Sequence, residues 1–194
     1  MRFQRAVVSG AVALAALTAL TGCGGHDSDG DGKSGGSTDQ GTSQQAGLPK
    51  ASDMASIAYY LNKYASCLDL TTGEEYDASD EVEKNPAWGE EEAADASWGI
   101  KERAVCTDKY SDAIALLTVP DMKKFQTAAK KDGHADFLIG QDFAIVPVDR
   151  RTIEELKASD LRYLTCDPDT RFPSGFEKKA GLVDGCVLSD YFPS

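Results

Sequence analysis

The stretch DFLIGQDFAIVPV, residues 136–148, decides the predicted fold of this chain. Two apolar runs, DFLI at 136–139 and FAIVPV at 143–148, are separated only by the sequence Gly-Gln-Asp. Short apolar runs on either side of a compact, glycine-containing connection are typical of two strands joined in a hairpin. We therefore predict an antiparallel hairpin in this stretch.

Helical patterns flank the hairpin on both sides. Upstream, apolar residues recur at helical spacing between Pro120, which favours a helix start, and Gly133, which favours a helix end. Downstream, Asp149 stands where it can cap a short helix that carries Ile153 and Leu156. We expect the hairpin to lie between these two helices along the chain.

Further apolar runs complete a recognisable order of elements. Runs at 113–119 and 161–166 predict a strand before the first of these helices and another after the second. The order strand, helix, strand, strand, helix, strand is the split β-α-β-β-α-β, or ferredoxin-like, arrangement, and the predicted fold class is therefore α+β. A strand at 103–107 is expected to extend the sheet through a hairpin. An extra N-terminal helix at 53–67, capped by Ser52, is expected to cover the remaining apolar surface.

The N-terminus has the organisation of a secretory signal. A short segment with two arginines precedes the uncharged apolar run 6–20, which is short for a membrane-spanning helix. The sequence LTGC at 20–23 follows at once and resembles the lipobox of bacterial lipoproteins. This resemblance implies that residues 1–22 are a signal peptide cleaved after Gly22, and that Cys23 carries diacylglycerol and palmitate-type acyl chains. The alternatives are a plain secretory signal with a chance cysteine and an uncleaved membrane anchor.

The hairpin and its preceding helix also resemble the small domains of many actinobacterial lipoproteins of unknown function. The likeness lies in FLIGQDFAIVPV, residues 137–148, and extends over about half of the predicted domain. It implies no particular activity.

Residues 23–49 are expected to form the lipidated cysteine and a disordered tether rich in Gly, Ser and Asp. Between residues 24 and 47 the chain has no large apolar side chain, so nothing offsets the entropy of ordering it. A flexible coil of this kind spans roughly 25–30 Å. An Asp-x-Asp-x-Asp run at 27–31 matches the first half of an EF-hand loop, but Thr38 occupies the position that needs glutamate. We therefore interpret the segment as a spacer.

The remaining residues, 50–194, are sufficient for a single globular domain. The whole chain has a formal net charge of −12, and the part after the signal carries −14 because the signal contributes two arginines and no acid. A surface this acidic argues against nucleic acid, which requires a basic stripe, and against electrostatic adhesion to anionic lipids. It fits an exported domain that its tether holds away from the bilayer.

Four cysteines remain after Cys23, an even number that suggests two disulfides in an exported protein. We favour pairing Cys67 with Cys106 and Cys166 with Cys186, while the other two pairings stay open. The first bond would close an acidic segment against helix and sheet, and the second would staple an irregular 28-residue tail to the last strand. A zinc site or a redox motif needs short spacings such as C-x-x-C, which these cysteines lack.

Residues 72–99 form an acidic stretch that we predict to be a long loop with a helical turn at 89–96. Its dense carboxylates make calcium binding an alternative function, because calcium prefers clustered oxygen ligands. A solvated acidic loop without a ligand is the simpler interpretation. The candidate ligands are Glu74, Glu75, Asp77, Asp80, Glu81 and Glu83.

The sequence carries no recognisable catalytic motif. The domain has one histidine, His134, and no G-x-S-x-G, phosphate-binding or dinucleotide-binding motif. We therefore predict a non-enzymatic protein without a cofactor, anchored by lipid to the extracytoplasmic face of the cell membrane. It is expected to be a binding or interaction module of the envelope, for an unidentified protein or small ligand. A small envelope hydrolase that uses acidic residues is the remaining alternative.

Overall fold

The computed structural model describes residues 45–72, 87–133 and 137–193. These residues belong to one structural unit, Thr38–Ser194. They form a single antiparallel sheet of eight strands with four α-helices, so the predicted α+β class is confirmed.

Helices and strands are numbered here in chain order. The helices are α1 (Met54–Leu61), α2 (Glu90–Ala94), α3 (Met122–Asp132) and α4 (Arg150–Leu156), with a short 3-10 helix at Ala96–Trp98. The strands are β1 (Leu68–Thr72), β2 (Glu102–Thr107), β3 (Ala113–Thr118), β4 (Phe137–Ile139), β5 (Phe143–Pro147), β6 (Arg162–Thr165), β7 (Lys178–Ala180) and β8 (Val187–Ser189). Across the sheet they follow the order β1-β2-β3-β5-β4-β6-β8-β7, and neighbouring strands are antiparallel.

The ferredoxin-like strand order is not confirmed, although its split β-α-β unit is present. As expected, β3, α3 and β4 form such a unit with β5 between the two strands. A ferredoxin-like sheet would place β6 against β3, but the predicted extra strand, β2, takes that edge and pairs from Glu102↔Thr118 to Thr107↔Ala113. β6 therefore pairs with β4, and a second split unit forms from β5, α4 and β6.

Both faces of the sheet are buried at its centre. All six residues of β3 are buried, and successive side chains point to opposite faces. Ile114 and Leu116 lie in the core that α1 and α4 share, whereas Ala115 and Leu117 lie in the core that α3 covers. The predicted N-terminal helix therefore does cover apolar surface, as one part of a layer on one face of the sheet.

Helix α1 is shorter than predicted and has a different cap. Asp53, not Ser52, caps it by accepting a backbone hydrogen bond of 2.8 Å from the first turn. The helix ends early because the Asn62 side chain bridges the turn that follows. Its amide donates to the Ala58 carbonyl at 3.0 Å, and its oxygen accepts from the Cys67 N–H at 2.9 Å. This turn directs the chain toward the sheet.

The ends predicted for the two later helices are closer to the structure. Gly133 ends α3 with φ of 80°, a left-handed conformation that glycine adopts without a steric penalty. Asp149 caps α4 through a hydrogen bond from the second helical residue. At the start of α3 the cap is Asp121, so the helix begins after Pro120 as expected.

Two disulfides join Cys67 to Cys106 and Cys166 to Cys186, which is the pairing favoured from the sequence. The first connects the turn after α1 to β2, and the second connects the end of β6 to the segment before β8. The prediction of an irregular tail is wrong, because β7 and β8 form a hairpin that pairs with β6. Strands of three residues contain too little alternation for a sequence pattern, so tertiary pairing decides them.

Replacing Leu116 with alanine is expected to lower the free energy of unfolding by about 3–4 kcal/mol, because the side chain is fully buried between strand and helix. The matched control is Leu70→Ala on the edge strand β1, where the side chain is 39% exposed. This control should cost about 1 kcal/mol or less. Urea unfolding measures both values, and equal losses would contradict the central place of β3.

Candidate functional site

A cavity of about 300 Å³ lies beside the end of β5. Strand β4 is short, and its first pair with β5 is Leu138↔Ile145. Beyond that pair, Val146 and Pro147 remain bonded to β3 on one side, while both residues line the cavity. The cavity therefore lies beside the part of β5 that has no register pair with the described residues of β4.

The cavity lining is apolar and comes from distant parts of the chain. We call its buried residues the inner wall and its half-buried residues the rim. None of these described residues carries a charged side chain. The inner wall consists of Leu138, Val146, Tyr163 and Phe192, and the rim consists of Trp88, Pro147, Val148, Ile153 and Pro193.

Main-chain hydrogen bonds and aromatic contacts hold Trp88 at the rim. The Arg103 guanidinium donates to the carbonyl oxygens of Ala87 and Trp88, each at 2.9 Å. The Trp88 ring packs edge-to-face against Phe137 at 4.9 Å and against Trp98 at 5.3 Å between centroids. These contacts place the indole ring in a defined position, so this part of the rim is preformed.

The chain after β8 supplies another part of the lining, including Phe192. Strand β8 is docked on β6 through the pair Tyr163↔Ser189, and the Ser189 hydroxyl then accepts from the Tyr191 N–H at 3.0 Å. The Phe172 ring contacts Tyr163 and Tyr191 edge-on, at centroid distances of 6.5 Å and 6.2 Å. The inner wall therefore depends on the docking of the tail against β6.

A separate acidic cluster joins the β2–β3 turn to α4. Carboxylate oxygens of Asp108, Asp112 and Asp149 lie within 4.8 Å of one another, an arrangement that could hold a metal ion. Arg151 bridges Asp149 at 2.7 Å and Asp112 at 3.1 Å, and the hydrogen bond that its guanidinium donates to Asp149 raises the pKa of Arg151. Buried Asp108 accepts from the Thr152 hydroxyl at 2.5 Å. The protein's own cation and donors already satisfy these carboxylates, so the cluster braces the fold.

Most of the site residues predicted from the sequence lie outside the described part of the chain. This holds for the lipidation candidate Cys23 and for the candidate calcium ligands Glu74, Glu75, Asp77, Asp80, Glu81 and Glu83. Their roles stay predictions. The described end of the acidic stretch contains α2, which confirms the helical turn predicted at 89–96. The four other cysteines are brought together in the two disulfides.

Sequence reasoning missed the cavity altogether. Its lining residues are spread from Trp88 to Pro193 and show no common spacing. The available signal was the group of apolar residues in the tail, which needed a surface to pack against. Without the strand order, the sequence could not show where in the fold that surface lies.

No family model, no curated protein and no solved structure matches this chain. Within the part of the chain that the structure describes, no helix is both long enough and apolar enough to span a bilayer.

Replacing Arg103 with methionine is expected to loosen Trp88, because two main-chain carbonyls lose their donor. The free energy of unfolding should fall by about 1–3 kcal/mol. The chain has two tryptophans, so the fluorescence emission should shift to the red as Trp88 gains contact with water. Arg171→Met at an exposed arginine is the matched control. An unchanged emission and stability in the Arg103 variant would contradict the anchoring role.

Proposed function

We propose that the mature chain is a lipid-anchored protein of the extracytoplasmic face of a bacterial cell membrane, and that it binds a small apolar molecule in the cavity described above. The single observation that carries the binding role is the apolar cavity of about 300 Å³. Ligand pockets in proteins range from roughly 300 to 1,000 Å³ and are lined mostly by apolar and aromatic side chains. This cavity lies at the small end of that range.

The chemistry of the lining favours binding over catalysis. Among its nine described residues, the hydroxyl of Tyr163 is the sole ionisable group. An acyl-transfer or hydrolytic site needs a nucleophile or an acid–base pair within hydrogen-bonding reach of the substrate. The described lining offers contact area and no such pair, so we propose a carrier or sensor rather than an enzyme.

The resemblance of residues 20–23 to a lipobox supports the anchored location. Cys23 would carry the acyl chains, and residues 24–47 would form the tether. Two or more acyl chains exceed the single-chain limit for reversible membrane binding, so the anchor would be stable. The ligand would then meet the protein in the envelope or at the membrane surface.

Cys23→Ala tests the location. The unaltered gene, expressed in its bacterial host, should yield a membrane-bound product whose mass matches cleavage after Gly22 plus attached lipid. Cys23→Ala should lose the lipid mass and leave the normal membrane fraction, because no thiol remains to accept diacylglycerol. Thr21→Ala keeps a small residue in the motif and should retain both properties. A soluble, unmodified product from the unaltered gene would refute the anchored location.

A rim variant tests the binding role. The fluorescent probe N-phenyl-1-naphthylamine is apolar and of suitable size, so it should bind the mature chain with Cys23→Ser and gain fluorescence at one site. Val148→Trp, at the half-buried rim, should fill the cavity and weaken probe binding at least tenfold. Val187→Trp changes a half-buried valine that does not line the cavity and is the matched control. Equal probe binding by all three proteins would exclude the cavity as the site.

A further inference from the structure

We propose that the ligand of the cavity is a single-chain fatty acid, with about ten to twelve carbons held inside and its carboxylate at the rim beside Arg150. This inference rests on the proposed binding function and names the class of ligand. It draws on three observations: the volume of the cavity, the chemistry of its walls and the position of one arginine.

The volume fits one saturated chain. A methylene group occupies roughly 25–30 Å³ at the packing density of protein interiors, so about 300 Å³ accommodates about ten to twelve of them. A diacyl phospholipid would need to bury two such chains at once. The volume therefore favours a lipid with one chain, of which about ten to twelve carbons would be buried.

The walls of the cavity match an alkyl chain, which has no polar atoms. Leu138, Val146 and Phe192 form most of the buried inner wall, and the described lining carries no charge. A ligand with amide or hydroxyl groups along its length would lose its hydrogen bonds to water there, at a cost of roughly 1–3 kcal/mol for each group. An alkyl chain incurs no such penalty and gains free energy with every buried methylene.

Arg150 is our candidate for receiving the head group, because it lies close in the chain to two rim residues. It stands two residues after the rim residue Val148 and three residues before the rim residue Ile153, and residues three apart on a helix are surface neighbours. Arg150 is exposed and forms no ion pair with another described residue. Its neighbour Arg151, by contrast, is held by Asp149 and Asp112.

A guanidinium pairs well with a carboxylate because two parallel N–H groups meet two oxygens. At an exposed rim such a pair adds little affinity, about two- to fivefold. The alkyl chain of the ligand would therefore supply most of the binding free energy, and Arg150 would supply the preference for an acid. A single-chain lipid with a phosphate head shares this chemistry, so the membrane is a second source of the same kind of ligand.

Displacement of N-phenyl-1-naphthylamine from the complete mature protein carrying Cys23→Ser tests the role of the alkyl chain. The competitors are saturated fatty acids of 6 to 18 carbons, each below its micelle concentration. Affinity should rise about fourfold for each added methylene and level off at about ten to twelve carbons. A flat response to chain length, or no displacement while the probe remains bound, would overturn the inference and leave the proposed apolar-ligand role intact. Failure of the probe itself to bind would instead refute that role.

Arg150→Gln tests the head group. It should weaken dodecanoate about two- to fivefold and leave dodecanol unchanged, because only the acid pairs with the guanidinium. Arg171→Gln, at another exposed arginine, should change neither ligand. Equal effects on acid and alcohol would overturn the assignment of Arg150. Competition by lauroyl-lysophosphatidylglycerol with the same Arg150 dependence would identify the membrane as a source, whereas displacement by diacyl phosphatidylglycerol vesicles would contradict the one-chain limit.

Discussion

The six-residue antiparallel pairing of β2 with β3 is the constraint on which the rest of the sheet depends. It occupies the edge of β3 that a ferredoxin-like fold leaves for its last strand. Backbone N–H and C=O groups of a buried strand need partners, so β6 has to satisfy its own groups elsewhere. It does so at the free edge of β4, and the sheet then grows outward through β8 and β7.

This displacement explains why a cavity forms beside β5. With β6 on β4 and β8 on β6, the segment that follows β8 brings Phe192 to the cavity beside the end of β5. On the other side, Arg103 of β2 fixes Trp88 through two main-chain carbonyls. The pairing of β2 with β3 thus has two effects. It displaces β6 from the edge of β3, and it positions Arg103, which holds Trp88 at the rim. The cavity is a consequence of the topology and does not belong to any one motif.

The charged groups and the apolar cavity have different tasks in this molecule. The chain is strongly acidic, yet Asp108, Asp112 and Asp149 are tied to Arg151 and to local donors, where they join the β2–β3 turn to α4. Exposed charge keeps such a domain soluble, while the free energy of binding in the cavity would come from apolar area removed from water. This separation would allow an acidic surface to coexist with the proposed lipid-type ligand.

The local sequence pattern was sufficient to predict several elements of the fold. Hydrophobic runs predicted the central strands, glycine and aspartate marked helix ends, and an even number of cysteines indicated two disulfides, because these signals depend on neighbours in the chain. The place of the lipid anchor, Cys23, is likewise a prediction from contiguous residues. Strand order, the β7–β8 hairpin and the cavity were decided only by tertiary structure. Edge occupancy by β2, the docking of a three-residue strand and the shared lining of the cavity by Trp88 and Phe192 all depend on residues that are distant in the chain, and no local spacing encodes them.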